Sequence, residues 1–115
     1  MNKKLGEIIK HIRNEKGISL RGLAKIVNVS NVNILYIEKG KINTSLPVLK
    51  GIAKALNYNI DKLLALADMI DDDIRNIINK RPISITNFLR AAKSLTNDDW
   101  SILTKQVLNM SSKVS

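Results

Sequence analysis

The stretch that decides the fold runs from Ile18 to Gly40 and reads ISLRGLAKIVNVSNVNILYIEKG. Ser19 and Ser30 each stand where a hydroxyl can accept a backbone N–H from the first turn of a following helix. Behind Ser19, the apolar residues Leu20, Leu23, Ala24 and Val27 share one face at helical spacing, and Asn28 ends the run. Behind Ser30, Ile34 and Ile37 are three apart and therefore lie on one side, and Gly40 supplies a stop. Only Asn28-Val29 separates the two segments, which leaves room for a tight turn. Two short capped helices joined in this way have the spacing of a helix-turn-helix.

Helical patterning continues on both sides of this stretch. Upstream, Leu5, Ile8, Ile9 and Ile12 form an i, i+3, i+4, i+7 stripe over residues 3–16, and Gly17 suits the residue just past the helix end. Downstream, Ser45 is placed to cap a fourth helix with Leu46, Leu49, Ile52, Ala53 and Leu56 facing inward and Pro47 in its first turn. Ile60 to Ala67, with Ile60, Leu63 and Leu64, reads as a fifth. Past residue 68, Asp71-Asp72-Asp73 suits the positive end of a helix dipole better than a metal site, and Ile74, Ile77 and Ile78 carry that helix to Arg81-Pro82. Ser84 or Thr86 is expected to start a helix with Phe88, Leu89, Ala92 and Leu95. Thr96-Asn97-Asp98-Asp99 resembles a capping box leading into Trp100, Leu103, Val107 and Met110, and Ser111 to Ser115 read as frayed. No stretch alternates with period two long enough to be a strand. The fold class is all-α, with a five-helix domain over residues 1–68 and a short helical extension over 69–115.

Composition narrows the chemistry. The 115 residues suffice for one ordinary domain with a core, and 44% of them are hydrophobic. With no cysteine and one histidine, His11, the chain offers no thiol nucleophile and almost no ligands, so neither a metal nor another cofactor is expected. The formal charge of +9 calls for a polyanion. Apolar runs are too short for a membrane span and the first residues lack the apolar centre of a signal peptide, which points to a cytoplasmic, nucleoid-associated protein. Residues 1–68 hold 12 basic and 5 acidic side chains (+7), whereas 69–115 hold 7 and 5 (+2). The excess positive charge thus surrounds the helix-turn-helix.

Several short signatures make a family resemblance specific. They are Leu5-Gly6-Glu7, Arg13, Lys16-Gly17-Ile18-Ser19, Leu23-Ala24, Val29-Ser30, Ile34, Ile37-Glu38-Lys39-Gly40 and Ile52-Ala53-Lys54-Ala55-Leu56. In combination, from Leu5 to Leu64, they resemble the lambda-repressor-like, Xre-type helix-turn-helix family. The resemblance implies a five-helix domain that binds double-stranded DNA, commonly as a homodimer. It also implies a partly buried salt bridge between Arg13 and Glu38, and base-edge contacts from Asn31, Val32 and Tyr36. The residues agree: with Ile34 and Ile37 inward, Val32, Leu35 and Tyr36 turn outward, and large apolar groups at those positions need a cover. An Asn can bond adenine N6 and N7 together, and an apolar side chain can pack on a thymine methyl. Asn33 and Leu35 serve equally well as base contacts or as packing residues. Phosphate contacts are expected from Ser19, Arg21, Ser30, Lys39, Lys41 and Asn43, since helix N-termini present free N–H groups and the cations add charge. For Ser19 and Ser30 this role is compatible with plain capping. Two positions depart from the family pattern: Leu20 stands where Gln is frequent, so its phosphate bridge is lost or passes to Arg21, and Thr44 stands where Pro is frequent.

Function follows from these residues. Some larger repressors of the family carry a Ser-Lys protease domain, but 47 residues after Asp68 are too few for one, and no phosphate loop, HExxH or nucleophile elbow is present, so a non-enzyme is expected. The leading reading is a sequence-specific transcriptional regulator, of repressor type, that binds an inverted-repeat operator as a dimer. The alternatives are an antitoxin or antirepressor-type protein whose C-terminal helices bind another protein, and a charge-driven non-specific binder of nucleic acid or membrane surface. Phe88, Leu89, Trp100, Leu103 and Val107 are the residues with which the extension would pack on the domain, dimerise or hold a partner.

Overall fold

The computed structural model describes residues 2–112, all helix and loop, with no strand among them. Five helices precede residue 68: α1 (Lys3–Glu15), α2 (Leu20–Val27), α3 (Asn31–Glu38), α4 (Leu46–Leu56) and α5 (Ile60–Leu66). Three more follow: α6 (Asp72–Lys80), α7 (Pro82–Ala91) and α8 (Asn97–Ser112). The extension is therefore not short, and its last helix, of 16 residues, is the longest described. No described helix is long and apolar enough to cross a membrane.

The expected caps hold these boundaries. Ser19 Oγ accepts from Gly22 N at 2.9 Å, Ser30 Oγ from Asn33 N at 3.1 Å and Ser45 Oγ from Val48 N at 3.4 Å. Asn28 takes the left-handed conformation at φ 64°, and Val29 N returns to Ala24 O at 3.0 Å, which closes α2 and turns the chain tightly into α3. Two tail boundaries differ from expectation. α7 starts at Pro82, not at Ser84 or Thr86, because proline at a first helical position has its φ preset and no N–H to leave unsatisfied. α8 runs on through Ser111 and Ser112, whose hydroxyls bond back to Val107 O and Asn109 O, while residues 113–115 of the expected frayed end lie outside the described residues. The capping box is present: Asp99 N donates to Thr96 Oγ1 at 3.1 Å and Thr96 N to Asp99 Oδ2 at 3.0 Å.

The chain divides into two compact units between Arg75 and Asn76, inside α6. In the first unit every helix from α1 to α5 contributes to one core. Leu5, Ile9, Leu23, Ile34, Ile37, Leu49, Ile52, Leu56, Leu63 and Leu64 are buried in it, and Leu20, Val27 and Val29 pack against it. Each such side chain contributes about 1.5–3 kcal/mol by leaving water. Two long-range ties secure its edges. Asn2 accepts from Leu5 N and donates to Leu66 O, joining the start of α1 to the end of α5. Lys50 on α4 pairs with Asp71 at 2.7 Å, and this hydrogen bond, with that from Asp72 N, holds the Asp71 carboxyl below its ordinary value.

The approach of α1 to the end of α3 leaves no room for a side chain. A Cβ on Gly6 would overlap the backbone carbonyls of Ile37 and Glu38. Gly40, at φ +69°, would bring a Cβ to 2.7 Å from Lys3 Cα. Gly6→Ala should therefore force backbone apart and destabilise the first unit by about 1–3 kcal/mol, a loss of thermal midpoint readable by circular dichroism.

Candidate nucleic-acid interface

α3 differs from its neighbours in having apolar residues around almost its whole circumference, with little preference for one side. Ile34 and Ile37 are buried as expected. On the outward side, Val32 is 53% exposed and Tyr36 40%, one turn apart, with Asn31 exposed beside them at the first helical position. Asn33 and Leu35 are half-buried, so Leu35 does not face fully outward as its position suggested. Lys41 reaches back from the loop after α3 to place its Nζ 5.9 Å from the centre of the Tyr36 ring, within cation–π range. Arg21, Lys39 and Asn43 are exposed around the same motif, as are the capping residues Ser19 and Ser30.

The electrostatics of the helix starts sort them into two kinds. α2 and α3 carry no acid in their first turns, so the positive ends of their dipoles remain available to an anion. α6 and α8 fill theirs with Asp72-Asp73 and Asp98-Asp99, which would repel a phosphate. Leu20, in place of the frequent Gln, packs against the core and offers no hydrogen bond.

A buried ion pair sets where α3 lies. Arg13 Nε donates to Glu38 Oε2 at 2.7 Å and Nη2 to Oε1 at 3.0 Å, a two-pronged pair with both side chains almost fully buried. The third prong, Nη1, donates to Ile18 O at 2.9 Å. One guanidinium thus joins α1, the residue before the Ser19 cap of α2, and the last residue of α3. The hydrogen bond that Arg13 donates to Glu38 outweighs burial and raises the Arg13 pKa above its already high ordinary value. The resemblance had implied the pair; the bond to Ile18 O had no signal in the sequence, because a backbone carbonyl is available at every residue. His11, on the outer face of α1, pairs at 3.0 Å with exposed Glu15 and takes no part in the motif. Thr44, where Pro is frequent, has its Oγ1 buried without a hydrogen-bond partner among the described residues.

In the second unit, Phe88 and Trp100 form an edge-to-face pair with ring centres 6.2 Å apart. Both remain substantially exposed, as do Leu89 and Val107, while Leu103 is half-buried.

Fold and motif together define a helix-turn-helix protein. The Helix-turn-helix family model HTH_3 matches residues 9–63. An uncharacterised HTH-type transcriptional regulator of Archaeoglobus fulgidus is 37% identical over 60 residues, which span 52% of this chain and 86% of that protein. The solution structure of the DNA-binding domain of the P22 C2 repressor superposes with a TM-score of 0.51 at 35% identity, over 56% of this chain and 86% of that domain. The SinR protein/SinI protein complex matches at a TM-score of 0.52 over 93% of this chain and 98% of that one, with 22% identity, a likeness of fold alone. The chain belongs to the lambda-repressor-like helix-turn-helix family.

Removing one member of the Arg13–Glu38 pair would strand a buried charge. Arg13→Met is expected to cost about 3–5 kcal/mol in urea denaturation, whereas pairing it with Glu38→Leu should recover a large part of that loss.

Proposed function

We propose that the chain is a sequence-specific DNA-binding transcriptional regulator of repressor type, with α3 inserted in the major groove. The observation that carries this reading is the outward side of α3. Asn31, Val32 and Tyr36 are uncharged, neighbouring and exposed on a helix whose other side is core. Asn31 suits an adenine edge, and Val32 and Tyr36 suit thymine methyl groups. Asn33 and Leu35, half-buried, reach a base only at the margin of the contact. Ser19, Arg21, Ser30, Lys39, Lys41 and Asn43 hold phosphates on either side, with Lys41 steadied by the Tyr36 ring. DNA-binding domains and regulators among the similar proteins support the reading.

The reading also calls for two copies. An eight-residue α3 is about 12 Å long and spans only three or four base pairs, too few to single out an operator. Two copies related by a dyad read an inverted repeat, with half-site centres about 10–10.5 base pairs apart or a multiple of it.

Two substitutions separate positioning from reading. Lys41→Ala should weaken binding to every duplex alike and reduce the salt slope by about one. Asn31→Ala should cost about 1–3 kcal/mol on the selected site and little on random DNA. Titrations of both variants against a site enriched from a random pool check this; identical losses on specific and random DNA would refute the groove assignment. Footprinting of the enriched site should show two protected half-sites at that spacing, and a single protected half-site at saturation would refute the symmetric arrangement.

A further inference from the structure

The outward side of α3 carries no charge at all. Its eight residues, Asn31 to Glu38, include no lysine or arginine, and the one acid among them is Glu38. Both oxygens of that carboxylate are taken by the Arg13 guanidinium inside the fold. The cations of the motif stand on other elements. Arg21 is on α2, Lys39 and Lys41 follow the last residue of α3, and the Lys41 ammonium lies over the Tyr36 ring. Leu20, packed against the core, supplies no amide from the start of α2.

Each base presents its own pattern in the major groove, and this set of side chains answers only part of it. Guanine shows two acceptors, N7 and O6, whose usual partner is an arginine or lysine; α3 has neither. Cytosine shows an amino donor, whose usual partner is a free carboxylate; Glu38 is not free. Adenine shows one acceptor and one donor, N7 and N6, and the amide of exposed Asn31 has one group for each. Thymine adds a methyl group, and Val32 and Tyr36 are the exposed apolar side chains beside Asn31. The Tyr36 hydroxyl can donate or accept and so adds no preference among the bases.

We infer that α3 reads A·T pairs, through an adenine edge at Asn31 and thymine 5-methyl groups at Val32 and Tyr36, with no guanine or cytosine contacted by its side chains. The inference rests on the groove reading above and narrows it from duplex DNA to one class of base pair. Phosphate contacts from Arg21, Lys39 and Lys41 are the same on every sequence, so direct preference among sites comes from the uncharged patch. The thymine methyl groups are the apolar surface that covers Val32 and Tyr36. Burying one methyl group is worth about fourfold in affinity. G·C-rich duplexes are then held by their phosphates alone.

The test uses the full chain and a site that it selects from a random duplex pool. That duplex is rebuilt with deoxyuridine in place of thymidine, one position at a time, which keeps every hydrogen-bonding edge and removes only the 5-methyl group. The core of each selected half-site should consist of A·T pairs. Uracil there should lower affinity about fourfold at each contacted thymine, and uracil outside the core should have no effect. One of these penalties should vanish in Val32→Ala and another in Tyr36→Ala, with the helical circular dichroism of both variants retained. Selected cores of G·C pairs, or A·T cores without a uracil penalty, would overturn the inference and leave the groove reading intact. Penalties that persist in both variants would also overturn it, because the methyl groups then act through the shape of the duplex and not through α3. Failure to select any site would overturn the groove reading and the inference with it.

Discussion

The buried ion pair of Arg13 with Glu38 is the constraint on which the presentation of α3 depends. Glu38 lies at the end of a helix, where the dipole disfavours an acid, and it is held there by two hydrogen bonds from one guanidinium. The same guanidinium bonds the carbonyl that precedes the α2 cap. Both helices of the motif are therefore referenced to α1, and Gly6 and Gly40 permit the close approach that this requires. Burying two charges need not stabilise the fold relative to apolar residues of the same shape. What the pair does provide is direction: two prongs tie the last residue of α3 to α1 and the third ties the carbonyl before the α2 cap to the same guanidinium, so the exposed Asn31, Val32 and Tyr36 are oriented relative to both helices.

Most of the first unit was legible because its signals are local. Ser19, Ser30 and Ser45 cap the helices they precede, Asn28 makes the turn, and the 3.6-residue stripes of α1 to α5 become the core. The Thr96–Asp99 capping box was legible for the same reason. What escaped was set by distance in the chain or by competing roles. The bonds from Asn2 to Leu66 O and from Lys50 to Asp71 join residues far apart, and no periodicity reports them. Leu35 is half-buried although its neighbours on α3 argue for exposure. In the tail, Ser84 and Thr86 looked like helix starts, but Pro82 begins the helix and Thr86 bonds back to its carbonyl from within. The outward residues of α3 were legible as a patch in need of cover.

Charge differs among the helix starts, most plainly between α2 and α3 on one side and α6 and α8 on the other. Around the acid-free first turns of α2 and α3, Arg21, Lys39 and Lys41 are exposed. α6 and α8 combine acidic first turns with exposed apolar side chains such as Ile77, Ile102 and Val107. The helix starts thus differ in kind: those of α2 and α3 have no acid of their own to answer the dipole, whereas those of α6 and α8 answer it with their own aspartates.

The all-round apolar character of α3 has a thermodynamic consequence. Phosphate contacts draw their driving force from released counterions, which depends on salt and has no hydrophobic signature. Covering Val32 and Tyr36 removes apolar surface from water and so lowers the heat capacity. On the proposed groove, a cognate site would be joined with a more negative heat-capacity change than random DNA, which offers the same phosphates without matched methyl groups. Discrimination between sites would then vary with temperature, at constant salt, even where the overall charge attraction does not.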